Sequence, residues 1–144
     1  MAQAKYKFAF YAKTYLTFIV LVSASVLFNS CIEVNTTDPE SAYKHWTGAA
    51  PPSDLKLLKA QYWQSPHWTK EYILYFEILP TKRWWHEYVE ANHLTIDTAS
   101  WTPPEQVPTW FRPSNNCIKY NLSAYSAYFR DTISGHCYIY EMQL

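Results

Sequence analysis

The chain has 144 residues, with 12 Lys and Arg against 12 Asp and Glu, 19% aromatic residues and only 2 glycines. That charge balance gives no electrostatic case for nucleic acid. So little glycine leaves no loop that could close backbone amides around a phosphate, which excludes nucleotide binding of the P-loop or Rossmann kind, and the length suffices for one compact domain but not two cores.

Lys5, Lys7 and Lys13 precede an apolar run from Tyr15 to Phe28, and the first acidic residue is Glu33. A basic stretch stays on the cytoplasmic side while the apolar run enters the bilayer. At roughly fifteen residues the run suits a signal-peptide core and falls short of the ~20 of a transmembrane helix. Residues 1–30 are therefore expected to be a signal peptide, with everything from Cys31 onward outside the cytoplasm. Phe28-Asn29-Ser30-Cys31 resembles the lipobox of bacterial lipoproteins. Ser30 fits the place before the cysteine, Phe28 stands where leucine is usual, and Asn29 is larger and more polar than the residues found there. The resemblance implies a diacylglycerol and an N-acyl chain on Cys31, hence attachment to a membrane through lipid. Ile32, which is not acidic, follows the cysteine; by the sorting rule of enteric lipoproteins this implies a cell-envelope protein of the outer membrane. Two other readings fit the same residues: an uncleaved signal anchor, or cleavage near Ser23-Ala24-Ser25 that leaves Cys31 as a thiol. Without the leader, nine Lys and Arg face all 12 Asp and Glu, a formal charge of −3.

Residues 31–52 read as lipid anchor and tether, because Asn35-Thr-Thr-Asp-Pro39 and Thr47-Gly-Ala-Ala-Pro-Pro52 are polar or turn-rich. The globular domain is expected over 53–144. Ser53-Asp54 caps a short helical pattern in which Leu55, Leu58 and Tyr62 recur at i, i+3 and i+7. Tyr72 to Leu79 is apolar at nearly every position, rich in β-favouring residues and ended by Pro80, the pattern of a central strand covered on both faces. Thr81 is placed to cap a helix over 82–93, with Trp85, Tyr88, Val89 and Asn92 on one side and Arg83, His86, Glu87, Glu90 and His93 on the other. Four prolines between 98 and 116, interleaved with Trp101, Trp110 and Phe111, predict an irregular loop, either pinned by its aromatics or exposed. Cys117–Tyr120, Tyr125–Arg130 and His136–Met142 read as an antiparallel sheet with a turn at Asp131–Gly135. Tyr138, Tyr140 and Met142 should share one face of the last strand, and Cys137, Ile139 and Glu141 the other. The expected fold class is α+β, with a mainly antiparallel sheet and one or two packed helices.

With Cys31 assigned to the anchor, Cys117 and Cys137 form an even pair in an oxidising compartment, and a disulfide between them is expected. Closing that loop would contribute roughly 3 kcal/mol; the alternative is two separately buried thiols. His86-Glu87-Tyr88-Val89-Glu90 resembles the zincin helix His-Glu-x-x-His but carries a glutamate where the second histidine belongs. His86, Glu90 and His93 lie on one stripe, which is also where solvated charge belongs, so no metal or other cofactor is assigned. Glu71, Glu77 and Glu141 would serve glycoside chemistry only if two faced one cleft, no nucleophile elbow is present, and no catalytic residue is assigned. Asn35 and Asn121 sit in Asn-x-Ser/Thr triplets, glycan acceptors in a eukaryotic secreted protein.

The aromatic excess points to binding, since Trp and Tyr anchor interfaces and stack on sugars. The candidate binding residues are Trp101, Trp110, Phe111 and Arg112, because proline rigidity lets exposed aromatics bind with little entropy to lose. Trp110-Phe-Arg-Pro113, Tyr128-Phe-Arg-Asp131, Gly135 and Tyr138 to Leu144 resemble a recurring ending of small bacterial envelope proteins. That resemblance covers about the last 35 residues and implies no activity. Three functions follow in order. A tethered, non-catalytic module binding another envelope protein, as an accessory subunit or an inhibitor or immunity protein, should show an apolar exposed patch. A carbohydrate or peptidoglycan binder should show a groove with tryptophans and polar groups, and a small hydrolase a pocket of convergent carboxylates or histidines.

Overall fold

The computed structural model describes residues 32–67 and 69–144. Cys31, the expected lipidation site, the leader before it and Trp68 lie outside the described residues. Among the described residues, no helix is long and apolar enough to cross a membrane.

The fold is α+β: one seven-stranded antiparallel sheet with two helices. In chain order the elements are β1 (Val34–Thr36), α1 (Pro39–Thr47), β2 (Leu55–Gln64), β3 (Tyr72–Pro80), α2 (Lys82–Ala91), β4 (Thr95–Ile96), β5 (Cys117–Asn121), β6 (Ser126–Asp131) and β7 (Cys137–Gln143). Across the sheet the order is β1-β2-β3-β7-β6-β5-β4. The C-terminal strand therefore inserts between β3 and β6 and joins the two halves.

The strand expected at Tyr72–Leu79 is β3, an interior strand buried on both faces along most of its length. The three C-terminal strands and the turn at Asp131–Gly135 also form as expected. Thr81 caps α2 by accepting from the Trp84 N–H at 3.1 Å, and Trp84, Trp85, Tyr88 and Val89 face the sheet. They pack with Tyr62, Leu74, Phe76, Tyr128 and Ile139 in the larger core cluster.

Two expectations for the N-terminal part are corrected. Residues 31–52 are no tether as far as they are described: β1 pairs with β2, and α1 lays Ala42 and Tyr43 into the core. Asp38 caps α1 through the Ser41 N–H, Pro39 fills the first turn, and Gly48 closes the helix at φ 76°, a left-handed conformation open to glycine. Residues 55–62 are a strand, not a helix. The register slips between Leu57 and Lys59, so Leu58 is an extra residue, and this bulge breaks the period-two alternation into spacing that mimics a helical face.

The helices cover one face of the sheet. The other face is covered by the irregular segment between β4 and β5, whose Trp101, Val107, Trp110 and Phe111 pack on Tyr75, Ala127, Phe129 and Tyr140. The sheet thus lies between helices on one side and a proline-rich strap on the other.

The disulfide expectation is corrected as well: Cys117 and Cys137 are free thiols. They lie on β5 and β7 with β6 between them, about 10 Å apart at the usual strand spacing, beyond disulfide reach. They also point to opposite faces, Cys137 into the helix-side core and Cys117 to the strap side. Burial pushes the Cys137 thiol up to about 12.

Candidate functional site

The residues expected to bind are mostly packing residues. Phe111 is only 3% exposed, ringed by Tyr75 at 5.2 Å, Tyr138 at 5.6 Å and Trp101 at 5.7 Å between centroids. Trp101 packs edge-on to Phe129 at 5.0 Å, and Trp110 lies under the Lys59 ammonium at 5.9 Å. Arg112 is exposed. Three of the four hold the strap to the sheet, as large apolar side chains do wherever they find a covered surface.

The strap leaves part of that face open beside Pro104-Glu105-Gln106, and there a groove of about 570 Å³ runs over the sheet. Its floor is two register rows. Asn35, Trp63, Ile73 and Met142 follow one another across β1, β2, β3 and β7, and Gln61, Tyr75 and Tyr140 lie alongside. Alternation along each strand turns all seven to the same side. The Trp63 indole donates to Glu33 Oε1 at 2.6 Å. Tyr75 and Tyr140 stack at 5.1 Å, and burial pushes the Tyr75 phenol up to about 12, so it is a donor at any physiological pH. Among the described residues, the Asn35, Gln61 and Gln106 amides and the Tyr75 hydroxyl have no hydrogen-bond partner in the chain. The groove therefore combines an apolar floor of Ile73 and Met142 with amides and a phenol able to bond a ligand. No local sequence signal marks it, because its parts come from four strands and a loop.

The carboxylates do not converge. Glu77 and Glu141 project from neighbouring strands to opposite faces of the sheet. Glu77 is buried on the strap side, accepting from His136 Nδ1 at 3.1 Å, with Lys59 Nζ at 3.0 Å from its second oxygen in an ion-pair contact. Glu141 lies on the helix side. Its Oε2 accepts from Trp46 Nε1 and the Tyr72 hydroxyl, both at 2.9 Å, and its Oε1 from the Tyr128 hydroxyl at 2.8 Å. Burial, reinforced by the Glu141 charge, holds the Tyr72, Tyr88 and Tyr128 phenols well above their ordinary range. Glu71 is engaged with exposed His67 and Thr69. On α2, His86 meets Glu90 at 3.4 Å on the solvent side, while His93 lies past the helix end at φ 52°, so the expected stripe is interrupted. No group of three metal-ligating side chains occurs among the described residues.

No family model, curated protein or solved structure matches this chain, so the groove is read on its own chemistry.

Proposed function

We propose that this chain is a membrane-tethered envelope lipoprotein, acylated at Cys31, that acts as a non-catalytic module binding a segment of another envelope protein in the groove beside Pro104–Gln106. The observation that carries the reading is the pairing of an Ile73–Met142 floor with unpartnered amides at Asn35, Gln61 and Gln106. Apolar side chains of an extended segment fit the floor, and side-chain amides pair with its backbone groups. A sugar ring would want a broad open aromatic face. Tyr75 and Tyr140 stack on each other and are 3% and 6% exposed, which leaves the half-buried Trp63 as the one tryptophan lining the groove and favours the peptide.

The test is site-specific photo-crosslinking of the full-length chain at native level in the cells that produce it. A crosslinker at Gln61 should give one discrete adduct, and one at Glu87 on α2 none. The protein in the adduct, purified, should then bind the wild type and lose at least ~2 kcal/mol of affinity on Trp63→Ala, as for a central interface tryptophan. Equal adducts at both positions, or unchanged affinity, would refute the groove. Intact mass beside Cys31→Ala tests the anchor independently: diacylglycerol and an N-acyl chain should be lost in the variant.

A further inference from the structure

The strands run antiparallel, so one end of the sheet gathers the start of β1, the turn between β2 and β3, the β5–β6 turn and the end of β7. Between Glu33 and Leu144, three of the six exposed large apolar side chains, Leu122, Tyr125 and Leu144, lie there, at 55, 61 and 76% exposure, the other three being Ile96, Ile118 and Ile133. Val34 opens β1 at this end, and Cys31 precedes it by three residues in sequence, a separation of at most about 10 Å. Between Leu122, Tyr125 and Leu144 a cleft of about 410 Å³ opens inward past Tyr72 and Tyr128 to Glu141. The Glu141 oxygens are met by neutral donors only, and among the described residues no Lys, Arg or His lies within ion-pair distance of it. Neutral donors satisfy its lone pairs but leave its charge. A carboxylate lining a cleft attracts a cation through its charge, and the exposed Tyr125 ring at the rim offers that cation a face. At the same end the exposed Lys70 ammonium, which donates to the His45 and Trp46 carbonyls at 2.8 and 3.4 Å and lies 5.7 Å from the Tyr72 ring centroid, would pair a phosphate with its remaining charge.

We infer that this end is a membrane-contact face and that its cleft takes the ammonium headgroup of a zwitterionic phospholipid, the apolar rim meeting the acyl chains. The inference rests on the acylation of Cys31 proposed above. With so short a connection, an acylated Cys31 holds this end against the bilayer, and the apolar rim with Tyr125 has the character of residues that settle at a membrane interface.

The test uses full-length protein reconstituted into vesicles of phosphatidylethanolamine with phosphatidylglycerol, or of phosphatidylglycerol alone, with amide hydrogen exchange read by mass spectrometry. Segments 122–126 and 140–144 should exchange about tenfold more slowly with the ethanolamine lipid, as one charge-assisted hydrogen bond can supply. The segment around Ile133, at the far end, should exchange equally in both. Glu141→Gln keeps an acceptor but removes the charge, and should abolish the lipid dependence. Leu122→Asp touches none of the network and should abolish protection at this end, which keeps the test valid if the Gln variant does not fold. Equal exchange in the two vesicle types, with Cys31 acylated by intact mass, would overturn the headgroup site and leave the tether standing. A mass without acyl chains on Cys31 would overturn both.

Discussion

Phe111→Ala asks whether the proline-rich segment is part of the fold or an appendage. The Phe111 ring lies within 6.3 Å, centroid to centroid, of Tyr75, Trp101, Trp110, Phe129 and Tyr138, mostly edge-to-face. Truncating a buried phenylalanine costs about 3–5 kcal/mol in transfer and cavity terms, and lost aromatic pairs place this site toward the upper part of that range. A domain of this size holds about 5–15 kcal/mol in total, so a loss near 4 kcal/mol removes a large fraction of it. With a urea slope of about 2 kcal/mol/M the midpoint should fall by about 2 M. Urea unfolding followed by tryptophan fluorescence and far-UV circular dichroism measures this directly, with exposed Arg112→Ala as the control expected within about 0.5 kcal/mol of wild type. A loss below about 1 kcal/mol at Phe111 would mean that the strap opens independently of the sheet, and the account of the second face would be wrong.

Tyr128→Phe leaves Glu141 Oε1 without its donor and should destabilise by about 1.5–3 kcal/mol in thermal or urea unfolding, while Tyr125→Phe, exposed and outside the network, should change little. Asp131 accepts from the Ser114 hydroxyl and from the Ile133 and Ser134 amides, which hold its carboxyl at about 2. Its folded value is depressed, so its contribution is complete above the unfolded value of about 3.9 and is lost as pH falls toward 2. The melting temperature should drop through that window, and Asp131→Asn should flatten the drop. Alkylation of the native protein at pH 8 should spare Cys137, and alkylation after unfolding without reductant should label Cys117 and Cys137 fully, with neither recovered in a disulfide.

What could be read from sequence was local. The run Tyr72–Leu79 and the Thr81 cap each carry their signal within a few residues, and the structure keeps both. The bulge at Leu58 defeated the reading of β2, because one extra residue shifts the phase of alternation without changing composition. The α1 helix carries cap signals in Asp38, Pro39 and Gly48, but its apolar contribution is small beside Asn35-Thr-Thr and the prolines, so its polar flanks dominated. Counting cysteines says nothing of which face each occupies, and alternation along β5 and β7 sends Cys117 and Cys137 apart. The aromatic excess announced large side chains, but which of Trp63, Trp101 and Trp110 borders an opening depends on how the strap lies over the sheet. The groove is a product of register between strands distant in sequence, and no window of residues contains it.

The position of β7 at the middle of the sheet also governs when the protein can fold. The β2–β3 hairpin can form from consecutive residues, but β3 finds its second neighbour only when Cys137–Gln143 arrives, more than fifty residues later. Until then β3 and β6 each present an unpaired edge, and the apolar faces on both sides are incomplete. Non-local closure of this kind is slow, since the loop must be ordered before its contacts repay it. Because β7 follows every other strand of the sheet in the chain, the sheet closes only after all of its other strands have been made, and a growing chain carries both halves unlocked until then.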